Sequence, residues 1–230
     1  ILVHDGVGQT RDGHEASQFW AEHLKQVTGL LGQTGTGGPL YNVDLRLRPD
    51  GAGGALVTHF DEFQEYFRGE RSQLWEHQAL VRLNPVCGDD DLGQKVLDWV
   101  RTNLGRGVDQ AEVLQELRQM HQRRRSIGKK DEIDFRTGSG GLIDIEFLIQ
   151  CLILLHQGEH PTILQPRTRN AIAQLEEVGL LDSGEATTLF TAYQFLRMVE
   201  NRLAMMHRAS VKAVSEEDGS LRQLAIRIGF

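Results

Sequence analysis

The segment Leu142 to His156 constrains the fold most. Leu142, Ile143, Ile145, Phe147, Leu148, Ile149, Leu152, Ile153, Leu154 and Leu155 put apolar side chains on nearly every face of a helix. A helix apolar all round must be buried, and this run is too short for a membrane span. It is the expected centre of a helical bundle. Gly138-Ser139-Gly140-Gly141 breaks the chain just before it. Around it the periodicity predicts three long helices and a terminal one. The first runs from Asp109 as cap to Arg125, with Val113, Leu114, Leu117 and Met120 inward. A second starts near Thr168 and ends at Gly179, a residue suited to the position after a helix end. A third is capped by Ser183 and reaches about His207, with Tyr193, Leu196, Val199 and Leu203 inward. The last starts at Ser220 and runs to Phe230.

The first part of the chain reads differently. Ile1 to His4 is a short strand, and His14 to Leu31 a helix with Phe19, Leu24, Val27 and Leu31 as a loose stripe. Gly32 to Pro39 is a linker. It lacks the Gly-Lys-Ser/Thr of a phosphate loop. Tyr41 to Arg48 alternates with period two: Tyr41, Val43, Leu45 and Leu47 on one face, Asn42, Asp44, Arg46 and Arg48 on the other. That pattern predicts a strand, stopped by Pro49. With Ala55-Leu56-Val57 as a second strand, 41–57 resembles a hairpin. Thr58 to Asp61 is a capping box with Asp in place of Glu, and Phe60, Phe63 and Phe67 form a helical core face. Ala79 to Leu83 is strand-like, and Gly88-Asp89 opens a helix to about Leu104. Gly105 to Asp109 is the expected boundary between domains 1–105 and 106–230.

The chain has 230 residues, with a hydrophobic fraction of 40% and a charged fraction of 25%. This is the composition of a globular protein with a packed core. Ile1 to Val3 reads as a strand already under way, as if the chain began inside a domain. Cys87 and Cys151 are too few for a disulfide framework, which fits a reducing cytoplasm. A net charge of −7 argues against broad nucleic-acid binding, and no segment points to a membrane.

Asp44 on one strand face with Arg46 and Arg48, followed by glycines such as Gly51 that let backbone approach closely, could hold a divalent metal and the phosphates it carries. The competing reading is an edge strand with a solvated salt-bridging face. Glu76 and His77 beside Trp75 could shape a pocket. Asp144 and Glu146, at the start of the apolar helix, could cap its positive end or pair with Arg197 or Arg202. Arg123-Arg124-Arg125 with Lys129-Lys130 reads as a solvated basic face. His156-Gln157-Gly158-Glu159-His160 matches a zinc peptidase pattern, but Gly158 and Pro161 deny it a continuous helix.

Tyr41-x-Val43-Asp44-x-Arg46-Leu47-Arg48-Pro49 closely resembles a signature of the glutamine synthetase adenylyltransferases, the bifunctional adenylylating and adenylyl-removing enzymes. Leu56-Val57-Thr58, Trp75-Glu76-His77-Gln78-Ala79-Leu80-Val81-Arg82 and Gly140-Gly141-Leu142-Ile143-Asp144-Ile145-Glu146-Phe147-Leu148-Ile149-Gln150 resemble further family segments in the same order. Arg136 stands where many relatives have Lys. The resemblance implies an α+β fold. A polymerase-β-type nucleotidyltransferase domain, N-terminally truncated, over 1–105 would precede an all-α bundle over 106–230. The wording is that of the C-terminal, adenylylating half.

The implied reaction is transfer of AMP from ATP, with Mg2+, to a tyrosine of glutamine synthetase. The other half of such an enzyme removes it by phosphorolysis. Asp44 matches the third carboxylate of the family's metal site, and the D-x-D pair that completes it should fall just before Ile1. Arg46, Arg48 and Gly51 would contact nucleotide, while Glu76, Arg82, Asp144 and Glu146 would support the site or the domain contact. Glutamine synthetase and a PII-type signalling protein are the implied partners. Two rivals stand beside this reading: a non-catalytic docking module for either partner, and a nucleotidyltransferase acting on RNA.

Overall fold

A computed structural model describes residues 1–35, 38–39, 43–104, 110–125, 132–207, 214–215 and 220–229. The expected boundary at Gly105–Asp109, the basic cluster of Arg123–Arg125 with Lys129 and Lys130, and the inward placement of Met120 rest on main chain or side chains outside the described residues, as do Tyr41 and Phe230. The fold is mostly helical with short strand pairs, and it divides into two compact units, Ile1–Asn103 and Leu104–Phe230.

The first unit contains β1 (Val3–His4), α1 (Ala16–Leu31), β2 (Thr34–Gly35), β3 (Gly38–Pro39), β4 (Thr58–His59), α2 (Phe60–Arg68), α3 (Leu74–Leu80) and α4 (Asp90–Asn103). β1 pairs in parallel with β4, Val3 opposite Thr58 and His4 opposite His59. β2 and β3 form a minimal antiparallel pair inside the expected linker. The core gathers on α2. Phe63 is 0% exposed. Its ring meets Phe67 at 4.9 Å and Trp99 of α4 at 5.3 Å, a geometry that adds to plain area burial. Leu80, Val81, Val96 and Val100 complete this core.

Four local expectations fail here. Val43 to Arg46 has no regular structure, and Leu47 to Asp50 turns. The reason is local hydrogen bonding. Asp44 Oδ1 takes the Arg46 N–H at 2.9 Å, and the Arg46 carbonyl takes the Arg48 N–H at 3.0 Å. These are groups a strand ladder would need. The hairpin over 41–57 is accordingly absent among the described residues. Its second strand lies at Thr58–His59 instead, because Val57 enters the core and Thr58 N–H donates to the Leu2 carbonyl. α2 is capped by His59, whose Nδ1 accepts the Asp61 N–H, not by a Thr58 box. Ala79 to Leu83 ends α3 and turns, held by Arg82 N–H to Ala79 O and Leu83 N–H to Leu80 O.

The second unit contains α5 (Gln110–Arg125), β5 (Glu132–Ile133), α6 (Leu142–His156), α7 (Thr168–Glu177), α8 (Ser183–His207), β6 (Val214–Ser215) and α9 (Ser220–Ile228). The antiparallel β5–β6 pair corrects the all-α expectation. α6 is buried on several faces, through Leu142, Ile145, Phe147, Ile149, Ile153 and Leu154, while Leu148 reaches the surface. Leu142 and Ile145 pack against Tyr193 of α8, and Phe135, Val199, Leu203 and Leu224 form an adjoining cluster. α8 is capped by Asp182 rather than Ser183. Asp182 Oδ1 accepts the Glu185 N–H at 2.8 Å, and Glu185 Oε2 accepts the Asp182 N–H at 2.9 Å, a reciprocal box. α6 ends at His156, so the two histidines of the zinc-like pattern do not share a helix.

Candidate functional site

The loop from Asp44 to Gly54 is a hydrogen-bonded polar feature of the first unit. It is built around Arg48, which is 8% exposed. The Arg48 guanidinium donates through Nε to Gly54 O (3.3 Å), through Nη2 to Ala52 O (3.2 Å), and through Nη1 to Leu45 O. One fixed planar fork thus satisfies three main-chain acceptors. The loop closes tightly enough that Gly54 leaves no room for a side chain: an added Cβ would lie 1.9 Å from Pro49 O. Asp50 takes the left-handed conformation at φ 59°, which Asp tolerates better than most residues. Gly51 follows at φ 56° and donates its N–H to Arg48 O at 2.8 Å.

A second set of contacts fastens this loop to α2 and α3. Asp50 pairs with Arg71, whose guanidinium lies 5.4 Å over the Tyr66 ring. The Tyr66 hydroxyl donates to both Glu76 oxygens, at 3.1 and 3.0 Å, and accepts from the Asp50 main chain. Burial pushes the Tyr66 hydroxyl pKa upward; the Asp50 N–H opposes this and Glu76 reinforces it. Glu76 is 2% exposed and also accepts the Gln73 N–H at 2.8 Å, which fixes the start of α3. A buried carboxylate is costly unless its oxygens are hydrogen-bonded, and here both are. His77, beside it, contacts Ser72 Oγ at 2.9 Å.

Asp44 stands at the open end of the loop, with its side chain 57% exposed. Arg46 grips it with Nε at 2.9 and 3.1 Å and Nη2 at 2.6 Å. The Arg46 side-chain hydrogen bonds, then its N–H, hold the Asp44 pKa down at about 2 against an ordinary 3.8. Asp44 is therefore an anion throughout the neutral range. It is a good hard ligand and a poor proton acceptor. Because the folded value is depressed, the stabilisation this pairing gives is complete above 3.8 and fades as pH falls toward 2. Titration of the Asp44 carboxyl carbon by NMR is expected to show a midpoint near 2, and Arg46→Gln to return it toward 3.8. An unchanged midpoint in the variant would contradict the pairing.

Of the remaining sequence-derived residues, Arg82 is exposed on the turn after α3. Asp144 and Glu146 lie in the second unit. Asp144 Oδ2 accepts the Gly140 N–H at 2.9 Å ahead of α6. Glu146 Oε1 meets Arg197 Nη2 at 2.7 Å, Arg197 continues to Glu200 at 2.6 Å, and Glu200 to Arg136 at 3.3 Å. Sequence reasoning missed Asp50, Tyr66 and Arg71. The turn-forming Pro49-Asp50-Gly51 was the available signal for the first. Tyr66 shares the buried face of Phe63 and Phe67.

Residues 1–99 match the family model described as glutamate-ammonia ligase adenylyltransferase. Residues 110–230 match the model described as GlnD PII-uridylyltransferase. Among similar proteins is the bifunctional glutamine synthetase adenylyltransferase/adenylyl-removing enzyme of Xanthomonas axonopodis pv. citri, 32% identical over 94% of this chain and 23% of its own length. The protein of the same name from Pseudomonas syringae pv. tomato is 34% identical over 92% of this chain and 23% of its own length. That of Stenotrophomonas maltophilia strain K279a is 37% identical over 79% of this chain and 20% of its own length. The chain thus belongs to the glutamine synthetase adenylyltransferase family, and corresponds to 20–23% of the length of these relatives.

Proposed function

We propose that the protein containing this stretch transfers AMP from ATP to a tyrosine of glutamine synthetase, and in its bifunctional form also removes it, so regulating nitrogen assimilation in the cytoplasm. In this reading residues 1–105 are part of a nucleotidyltransferase domain and residues 106–230 its helical companion. The tyrosine oxygen attacks the α-phosphorus of ATP. A bond to that oxygen forms, the α–β bridge breaks, pyrophosphate leaves, and the hydroxyl proton passes to solvent. The observation that carries the reading is the Asp44 carboxylate, ionised and exposed at the mouth of a loop that Arg48 holds in one shape.

Asp44 would serve as a metal ligand rather than as the base, because its depressed pKa makes it a weak proton acceptor. Arg46, 80% exposed, is free to swing from Asp44 onto a phosphate. Arg48 and Gly51 would act by shaping the loop, and Gly51 offers close backbone approach to the nucleotide. Glu76 would support the loop through Tyr66 and Asp50. Arg82, Asp144 and Glu146 would serve as supporting residues outside the reacting centre. Mg2+ would take a carboxylate oxygen from Asp44 and neutralise phosphate charge. Among the described residues no three His, Cys, Asp or Glu side chains converge. The described residues therefore do not supply a full donor set.

A second reading draws on the match of residues 110–230 to a PII-uridylyltransferase model. The helical unit would then be a docking or regulatory module for a PII-type protein or for glutamine synthetase. No described helix is long and apolar enough to cross a membrane.

Labelled ATP, Mg2+ and glutamine synthetase, incubated with the 230-residue chain and separately with the full-length protein, test both readings. Label on glutamine synthetase is expected with the full-length protein alone. Label from the short chain would overturn the need for further carboxylates. Binding of glutamine synthetase by both proteins without any labelling would favour the docking reading.

A further inference from the structure

α8 carries a second feature, which the adenylyl-transfer reading does not use. A groove of ≈ 440 Å³ opens along it, closed on one side by Arg169 of α7. Two neighbouring rows of the helix line it. Tyr193, Arg197 and Met205 belong to one row, and Met198 and Arg202 to the other, in steps of four or eight residues that keep each row on one face. The volume is that of a small-ligand site.

The charges in the groove are not equivalent. Arg197 is already committed to Glu146 at 2.7 Å and Glu200 at 2.6 Å. It frames the site rather than binding a ligand. Arg202, a possible partner for Asp144 or Glu146 on sequence grounds, is left in the groove. Among the described residues neither Arg202 nor Arg169 has a carboxylate partner. Arg169 is instead held 5.2 Å over the Phe190 ring, a contact that fixes the guanidinium while leaving its N–H fork unpaired. Two exposed guanidiniums without a carboxylate partner among the described residues line one concavity, on a chain of net charge −7, and their N–H forks are open to an anion. Planar forks on two different helices suit the dispersed oxygens of a phosphate chain. The thioethers of Met198 and Met205 offer a polarisable surface on which an aromatic ring can rest.

We propose that this groove binds an organic phosphate of nucleoside-diphosphate size, with the phosphates on Arg169 and Arg202 and the ring on Met198 and Met205. The test is an NMR titration of methyl-labelled full 230-residue chain with ADP as the probe, in wild type and in Asp44→Asn. Saturable shifts of the Met198 and Met205 methyl signals are expected in both, because the groove does not involve Asp44. Pyrophosphate is expected to compete, and adenosine to bind at least tenfold more weakly than ADP. Arg169→Gln and Arg202→Gln should each weaken ADP about tenfold, the loss of one charge-assisted contact, with unchanged circular dichroism. The proposal is overturned if ADP gives no saturable shift of these methyls, or if both variants bind as wild type does. Succinate binding as tightly as ADP would overturn the assignment to phosphate.

Discussion

Asp44→Asn in the full-length enzyme is expected to lower AMP transfer by about 10²–10³-fold with the melting temperature almost unchanged. The amide keeps the shape of the carboxylate but loses its charge, so it no longer draws a cation. The fold should tolerate the change because Asp44 is exposed and its grip on Arg46 is a surface pairing, of the kind that adds little stability. What holds the loop is Arg48 and its three carbonyl partners, and these do not involve Asp44. Turnover measured beside thermal melting separates the two effects. Activity within a few-fold of wild type would sink the assignment of Asp44, and a large drop in melting temperature would place it in the scaffold instead.

Gly141→Val is expected to destabilise the helical unit by about 3 kcal/mol, at the upper end of overpacking effects. A Cβ on Gly141 would lie 2.9 Å from both Gly138 O and Phe135 O, and 3.0 Å from Arg136 O. All three are main-chain atoms that cannot rotate away as a side-chain end can. The Phe135 and Arg136 carbonyls also accept the N–H groups of Leu142 and Ile143 at 3.0 Å each, so pushing them back removes the hydrogen bonds that start α6. A β-branched residue adds its own rotamer restriction. Gly140, at φ 76°, makes the same turn without such crowding. Gly140→Ala should therefore cost less, about 1 kcal/mol, from its conformation alone. Chemical denaturation of both variants checks the order. Equal costs, or a neutral Gly141→Val, would mean that the turn before α6 opens freely.

The helices were legible because their signals are strong and local. Phe60, Phe63 and Phe67 predict α2, and Phe63 and Phe67 are buried there. The all-round apolar run from Leu142 places α6 at the centre of its unit, and its bounds agree with the sequence reading. The loop at Asp44 was misread because alternation of side chains records only spacing. It cannot tell that Arg48 folds back onto three carbonyls or that Asp44 caps the Arg46 N–H. The strand-like Ala79 to Leu83 failed for a related reason. Leu80 and Val81 are both buried at the end of a helix, and a short apolar run looks alike in either conformation. The polar chain from Asp50 through Arg71 and Tyr66 to Glu76 joins residues far apart in sequence, up to 21 positions for Arg71 and Asp50. No local pattern encodes such a contact. Glu76 was singled out from its neighbours in sequence, but its partners were not.

The most direct test of the account is mass spectrometry of glutamine synthetase after incubation with the full-length protein, ATP and Mg2+, with released pyrophosphate measured in parallel. The account predicts one AMP on a tyrosine for each pyrophosphate released, and both products lowered together by about 10²–10³-fold with Asp44→Asn. Glutamine synthetase that is bound but unmodified, or pyrophosphate release that persists undiminished in the variant, would contradict it.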